Sequence, residues 1–352
     1  MAYNPKEFDI FIGVDVDQKS FVVTIKDHEH MMRLLKIPAN PENLYHHIRN
    51  SYNNKKVICA YEVGGTGYRL HDYLCERDIP CLMVSPPSLP IAPNARVKNN
   101  RLDSEKIVNE LQKGSLPSIR VPDQDYRELR HLVRCREDYV KMSRVAKQRI
   151  KGLLLFSNLH TAIKDPIQNW SSRYIQELKK LPCSPATRQR LDLQLQDLAY
   201  AREHILYVLK ELKSFCQQHP SIDRNIHYLR SIPGIGFVTA TTLMANIGDP
   251  RHLNNVTELG SFIGLVPREN STGDAQRRGS ITHLGDRALR SILIEVAWTT
   301  IRHDKRLEQF YNRIRTKHHP SIGARKAIVA VARKLTMIIY RVLKDQREYV
   351  SH

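Results

Sequence analysis

The sequence predicts an α/β domain followed by a long helical stretch and a mainly α ending. Three observations carry this. Apolar, β-branched runs alternate with helix signals up to residue 121. Glycine then nearly vanishes between 122 and 225, where apolar residues recur at helical spacing. From 226 onward, glycine turns reappear between amphipathic helices. The expected divisions are therefore 1–121, an α/β domain with a mixed sheet; 122–225, a helical coiled-coil region; and 226–352, a mainly α domain.

The elements follow in order. "FDIFIGVDVDQKSFVVTIK" (8–26) is rich in Ile, Val and Phe and broken by a polar turn, which predicts a strand hairpin. "MMRLLKI" (31–37) predicts a third strand, and "PENLYHHIRNSY" opens with Pro and acid, as helices do. "KKVICAYE" (55–62) is a buried strand; the glycine turn after it leads into an amphipathic helix. "IPCLMVS" (79–85) is a further strand, and "RLDSEKIVNELQKG" is a helix closed by Gly114. In the middle, Leu129, Leu132, Val133, Val140, Val145 and Ile150 mark one helical segment, and Leu193, Leu195, Leu198, Ala201, Ile205, Leu209 and Leu212 mark a second. These predict two long helices pairing as a coiled coil or bundle, within one chain or between two. Later, "IPGIGFVTATTLMANIG" (232–248) reads as helix, G-I-G turn, helix, and two basic amphipathic helices close the chain.

Charge narrows the partners. The chain of 352 residues has 55 Lys and Arg against 36 Asp and Glu, a formal net charge of +19. Such an excess concerns partners rather than fold, and nucleic acid leads because its backbone is bound through Lys and Arg. No apolar run reaches the roughly 18 residues of a membrane helix, and the N-terminus lacks the order of a signal peptide, so a cytoplasmic protein with no membrane partner is expected. The six cysteines form no C-x-x-C pair, which predicts reduced thiols rather than a zinc or disulfide framework.

Three acids stand out. Asp15 lies in an apolar strand, Glu62 ends another, and Asp103 sits in the first turn of a helix. Each alone has an ordinary reading as a solvated cap. Converging at one edge of a sheet, they form a hard oxygen set for Mg²⁺, which positions phosphodiesters. Asn100 is three residues before Asp103 and would share its helix face. The glycine turn at Gly234 and Gly236 resembles a helix-hairpin-helix, whose backbone N–H groups meet a phosphate. The helix over 127–151 carries nine Lys or Arg, among them Arg144, Lys147 and Arg149, and offers a DNA or RNA contact face. In the loop "ENSTGDAQRRGS", Ser271 and Thr272 supply hydroxyls and Arg277 and Arg278 supply phosphate-binding charge. On composition alone that loop reads as a polar turn against nucleic acid.

"GVDVDQKSF", "AYEVGGTGYRLHDYL", "VKNNRLDSEKI", "IPGIGFVTATTLMANIGD" and "FIGLVPRENSTGDAQRRGSITHLGDRALRSILIEVAW" occur in that order. Together they resemble the DEDD insertion-sequence transposases, a family that includes the Piv-type DNA invertases and the bridge-RNA-guided recombinases. The resemblance covers nearly the whole chain, and its last motif is long and specific. It implies a RuvC-like (RNase H-like) N-terminal domain, a coiled-coil middle and a C-terminal transposase domain. It places the four Mg²⁺-binding positions at Asp15, Glu62, Asn100 and Asp103. The sequence departs from the pattern at position 100, where Asn offers a carbonyl oxygen but one less negative charge. The resemblance further implies a serine nucleophile in "ENSTG", assigned to Ser271 with Thr272 as the alternative. It also implies a phosphoserine link to DNA, a dimer or tetramer with a composite site, and a structured bridge RNA pairing with donor and target double-stranded DNA in the bacterial cytoplasm, at the nucleoid. Two other readings stay open: a metal-dependent structure-selective nuclease using only the first-domain acids, and a catalytically inactive nucleic-acid-binding derivative, to which Asn100 points.

Overall fold

A computed structural model of the chain describes residues 3–29, 32–85, 100–163, 169–269, 278–281 and 285–351. The chain divides into two compact units, residues 1–121 and 122–352.

The first unit is built on one sheet. Its elements are β1 (Ile10–Val16), β2 (Ser20–Asp27), β3 (Met32–Pro38), α1 (Pro41–Tyr52), β4 (Val57–Glu62), α2 (Arg69–Cys75), β5 (Cys81–Val84), α3 (Asn100–Lys113) and β6 (Ser118–Ile119). The strand order is β3-β2-β1-β4-β5-β6. β1, β2 and β3 form an antiparallel meander, β4 and β5 continue parallel to β1, and β6 returns antiparallel. The sheet is thus mixed, as the alternation of elements predicts.

Side-chain alternation sorts the two faces. Ile10, Ile12 and Val14 of β1 pack with Leu44 and Ile48 of α1 and Leu70 and Leu74 of α2. Phe11 faces the other way, with Ile58 and Ala60 of β4 and Ile107, Val108 and Leu111 of α3. Gly13 marks where α3 meets the sheet: a Cβ there would lie 2.3 Å from the Ser104 carbonyl oxygen and 2.8 Å from the Val108 nitrogen. Beside it, the Ser104 and Thr24 hydroxyls share a buried hydrogen bond of 2.8 Å. Cys59 and Cys81 are register neighbours on β4 and β5, and all six cysteines are free thiols.

The second unit is helical apart from one short ribbon. It contains α4 (Gln124–Phe156), α5 (Ser172–Lys180), α6 (Pro185–Gln218), α7 (Pro220–Arg230), α8 (Phe237–Ile247), α9 (Val256–Ile263), β7 (Pro267–Glu269), β8 (Arg278–Ile281), α10 (Arg287–Thr300), α11 (Lys305–Thr316) and α12 (Pro320–Asp345). The two long helices pair with each other within the chain, antiparallel. Tyr126, Leu129 and Val133 of α4 share a core with Val208, Leu212 and Cys216 of α6, together with the helices from α7 onward. At the other end, Ala146, Ile150 and Leu153 of α4 share a second core with Leu191, Leu195 and Leu198 of α6 and Tyr174 and Leu178 of α5.

Between these cores full burial lapses, with Val140 and Ile205 beside Arg136. From 134 to 142 on α4 and from 202 to 207 on α6 no residue is buried. Arg136 sits there, its guanidinium held below the usual range by burial. Tyr139, Tyr200 and His204 cluster on the surface beside it, with the Tyr200 and His204 ring centroids 3.9 Å apart.

The chain's last part differs from expectation in two places. Where two closing helices are expected there are three: α11 fills the stretch between them, opened by Asp304. Asp304 is 1% exposed and caps α11 by accepting the Leu307 N–H at 2.9 Å. The β7–β8 ribbon is also unforeseen. Among the described residues, no helix is long and apolar enough to cross a membrane.

Candidate functional site

The acids of the first unit come from three elements. β1 and β4 run parallel with Gly13 opposite Ala60 and Val14 opposite Tyr61, so Asp15 and Glu62 follow at the same level of adjacent strands. Both continue the alternation that turns Phe11, Ile58 and Ala60 toward α3. α3 meets this face at Gly13 through Ser104, the residue after Asp103. The close approach at Gly13 therefore brings the first turn of α3 to the sheet face that carries Asp15 and Glu62. Both acids are half-buried. Lys106 Nζ donates to Asp103 Oδ1 at 3.2 Å. Asn100 opens α3, one turn before Ser104; its side chain lies outside the described residues.

The four positions offer only oxygen donors, the set a hard divalent cation takes. A tighter grouping lies elsewhere. Among the described residues, Asp123, Asp249 and His252 are the one group of three such side chains whose ligand atoms all lie within 4.8 Å of one another. Asp249 is already engaged there: the Arg251 backbone N–H and Nε each donate to it at 2.8 Å.

The hydroxyl loop hangs from the β7–β8 ribbon. Pro267 pairs with Ile281 and Glu269 with Arg278, so the chain leaves and re-enters the scaffold at neighbouring positions. Ser271, Thr272 and Arg277 lie outside the described residues, as does the side chain of Arg278. The scaffold behind the ribbon is well fixed. The Asp286 N–H donates to the Phe262 carbonyl at 2.9 Å, and buried Arg290 donates to the Ile263 carbonyl at 3.0 Å. A Cβ at Gly285 would lie 2.6 Å from the Phe262 carbonyl oxygen, and its φ is +85°.

The glycine turn divides in role. Gly234 has φ +91° and packs against Thr299 and Val296 of α10. The Thr300 hydroxyl donates to the Pro233 carbonyl at 2.7 Å, pinning the same turn. Gly236 faces open space and begins α8 with no side-chain cap, leaving first-turn N–H groups for a ligand.

The basic face of α4 also divides. Arg144 and Lys147 line an open cavity of about 460 Å³ with Arg136, Lys151 and Trp170. Lys147 lies 6.0 Å from the Trp170 ring centroid, and burial together with Arg202 holds its ammonium below the usual range. Arg149 does not line this cavity. Arg136 and Lys151 fall on the same helical stripe as Arg144 and Lys147, a spacing legible in the sequence; nothing in the sequence marks Trp170.

Comparison with known proteins assigns both halves. Residues 12–158 match the transposase model of the IS110 DEDD type, and residues 226–312 match the Transposase IS116/IS110/IS902 family. The first span holds Asp15, Glu62, Asn100 and Asp103; the second holds the glycine turn and the Ser271 loop. The chain is 27% identical to a Sinorhizobium fredii protein assigned as a transposase (y4qE), over 97% of this chain and 90% of the relative. It is 27% identical to the transposase for insertion sequence element IS1111A of Coxiella burnetii, over 72% of this chain and 68% of the relative. Over a shorter span, 37% of this chain and 40% of the relative, it is 30% identical to the pilin gene-inverting protein of Moraxella bovis. With both family domains present in order, the chain belongs to the IS110 family of DEDD insertion-sequence transposases, enzymes that cut and rejoin DNA.

Proposed function

We propose that this transposase exchanges DNA strands through a covalent serine link, with Ser271 as the nucleophile and Asp15, Glu62, Asn100 and Asp103 as the seat of Mg²⁺. The observation that carries the reading is the shared level of Asp15 and Glu62 on adjacent parallel strands, facing the helix that begins with Asn100 and Asp103. Ser271 Oγ attacks a DNA phosphorus, a P–O bond to the departing deoxyribose oxygen breaks, and that oxygen leaves with a proton. A DNA hydroxyl then attacks the phosphoserine, restoring the serine and a phosphodiester, so no bond energy is lost to water. Bound Mg²⁺ would offset the negative charge that builds on the attacked phosphate. Arg277 and Arg278, in the same loop sequence as the serine, are candidate phosphate clamps, and the open α8 N-terminus at Gly236 is a further phosphate contact in the manner of a helix-hairpin-helix.

The mixed sheet supports an RNase H-like first domain over 1–121. Within each of the two cores the buried positions of α4 and α6 fall at three- and four-residue spacing, which supports reading 122–225 as a helical pair of coiled-coil type, interrupted between the cores, with the transposase domain at 226–352. The basic groove of Arg144 and Lys147 is a face for double-stranded DNA or for a structured bridge RNA, and Arg149 extends the charge around the helix. RNA guidance fits a protein that reads backbone while base pairing reads sequence. The working form is a dimer or tetramer with a composite site, in the bacterial cytoplasm at the nucleoid.

The test is a recombination assay on donor and target DNA comparing the parent with Ser271→Ala and Asp15→Ala. Both variants should lose product by orders of magnitude; undiminished product from both would overturn the mechanism. Protein trapped on DNA through Ser271 supports the covalent link. Free DNA ends without attached protein would mark a metal-dependent nuclease instead, and salt-sensitive binding without cleavage would mark an inactive DNA-binding derivative.

A further inference from the structure

We propose that the face where α11, α12 and the C-terminal segment meet is a binding site for the phosphodiester backbone of a nucleic-acid strand, separate from the Ser271 loop and from the acids. It rests on the chain's acting on DNA but on no catalytic assignment.

A cavity of about 450 Å³ opens there, within the size range of ligand pockets. Arg306 of α11 and Lys334 and Arg341 of α12 line it, with Arg347, Glu348 and Tyr349 of the C-terminal segment as one wall. The charge is lopsided: four cations face one carboxylate. That carboxylate is engaged elsewhere, since Glu348 Oε1 lies 2.9 Å from His227 Nε2. Arg347 pairs with Asp345 at 3.1 Å. Among the described residues, no carboxylate pairs with Arg306, Lys334 or Arg341 within salt-bridge distance. Three cations from two helices thus line one concavity, none of them ion-paired among the described residues; Lys334 Nζ also lies 4.6 Å from the Phe310 ring centroid, and the buried Asp304 carboxylate stands behind Tyr349. Their mutual repulsion disfavours the empty site, and a polyanion relieves it.

The wall is fixed rather than trailing. The Tyr349 hydroxyl donates to buried Asp304, and its backbone N–H donates to Ser231 Oγ at 2.7 Å. Ser231 directly precedes the glycine turn, so the site is built against the same turn that presents Gly236. The floor, with Ile338, is apolar and leaves room for a sugar.

The experiment measures binding of labelled oligonucleotides to the full chain by fluorescence anisotropy, with chelator present so that no strand chemistry occurs. A lost recombination activity and a lost binding site are then separate results. The same sequence is offered as single-stranded DNA, duplex DNA and RNA. The variant Arg306→Gln, Lys334→Gln, Arg341→Gln is compared with Lys180→Gln, Lys210→Gln, Lys213→Gln, which removes the same charge from the α5–α6 surface. All six side chains are exposed, so both variants should keep the parent's circular dichroism. The first variant should bind at least about tenfold more weakly than the second on one or more of the three probes, for every base sequence. Its slope of log affinity against log salt should fall by about 1 for each phosphate that the protein no longer neutralises. The probe that suffers identifies the strand the site holds. If the first variant loses no more affinity than the second on all three probes, the proposal is overturned.

Discussion

Gly13 shows how much one residue can position. Its missing side chain lets the backbone of α3 sit against β1, and that contact sets where Asp103 stands relative to Asp15. Gly13→Ala forces a Cβ into the Ser104 carbonyl at 2.3 Å, with backbone on both sides and no flexible neighbour to give way. The expected cost is about 1–3 kcal/mol in stability, read as a fall in melting temperature. Metal-dependent strand cleavage should fall further than stability alone explains; cleavage that tracks the folded fraction would show that the contact serves packing only. A second residue-scale feature lies on α2. Burial pushes the Cys75 thiol up, but the hydrogen bond and charge of His71, helped by the Cys81 backbone, outweigh it and hold the thiol below the ordinary range. Burial pulls the His71 imidazole down, but its hydrogen bond with Cys75, joined by Asp72, whose Oδ1 lies 3.0 Å from Nδ1, outweighs this and holds it above the usual range. A lowered thiol pKa keeps the reactive thiolate populated as the pH falls below the usual thiol range. Cys75 should therefore react with iodoacetamide several-fold faster than exposed Cys135 at neutral pH, read by mass spectrometry. His71→Gln should remove the difference; equal rates in the parent would refute the pairing.

At the scale of elements, what the sequence reveals depends on length and on contrast between faces. β1 to β5 and the two long helices are legible because each offers enough positions for a period of two or of 3.6 to show. β6 has two residues and β7 three, too few for any alternation to register; β8 has four, as β5 does, but its Arg-Gly-Ser-Ile offers no apolar run where β5 has Cys-Leu-Met-Val. α11 escapes the pattern for a different reason: only Leu307 and Tyr311 of its twelve residues are buried, so its apolar stripe is thin. The site follows the same logic. Asp15 and Glu62 are conspicuous as acids at the ends of apolar strands, yet their common level depends on strand register, which no local pattern encodes. Arg136 and Lys151 are visible as a stripe with Arg144 and Lys147; Trp170 comes to that groove from beyond the end of α4 through tertiary packing. For Ser271 the assignment rests on the family motif, and the ribbon at its base adds only that the loop's two ends are neighbours.

At the scale of the molecule, two family domains follow one another, and the net charge of +19 is uneven: residues 1–121 hold 16 Lys and Arg against 14 Asp and Glu, so nearly all of the excess lies in 122–352. Arg306, Lys334 and Arg341 in one place and Arg144 and Lys147 in another suggest a chain that holds nucleic acid at several points while chemistry occurs at one. The interval without buried residues along the α4–α6 seam bears on how this molecule comes apart. Cooperative unfolding requires that loss of one core cost the other something, and across that interval little apolar contact transmits the cost. The core of Ile150, Leu195 and Leu178 is small, while the core joining α7 to α12 is large. Heating should therefore melt the second unit in two stages, with amide hydrogen exchange rising first over 143–201 and only later over 222–343. Replacing Arg136 with Met would join the two cores across the interval and merge the stages into one; a single transition in the parent would mean the helices alone carry the coupling.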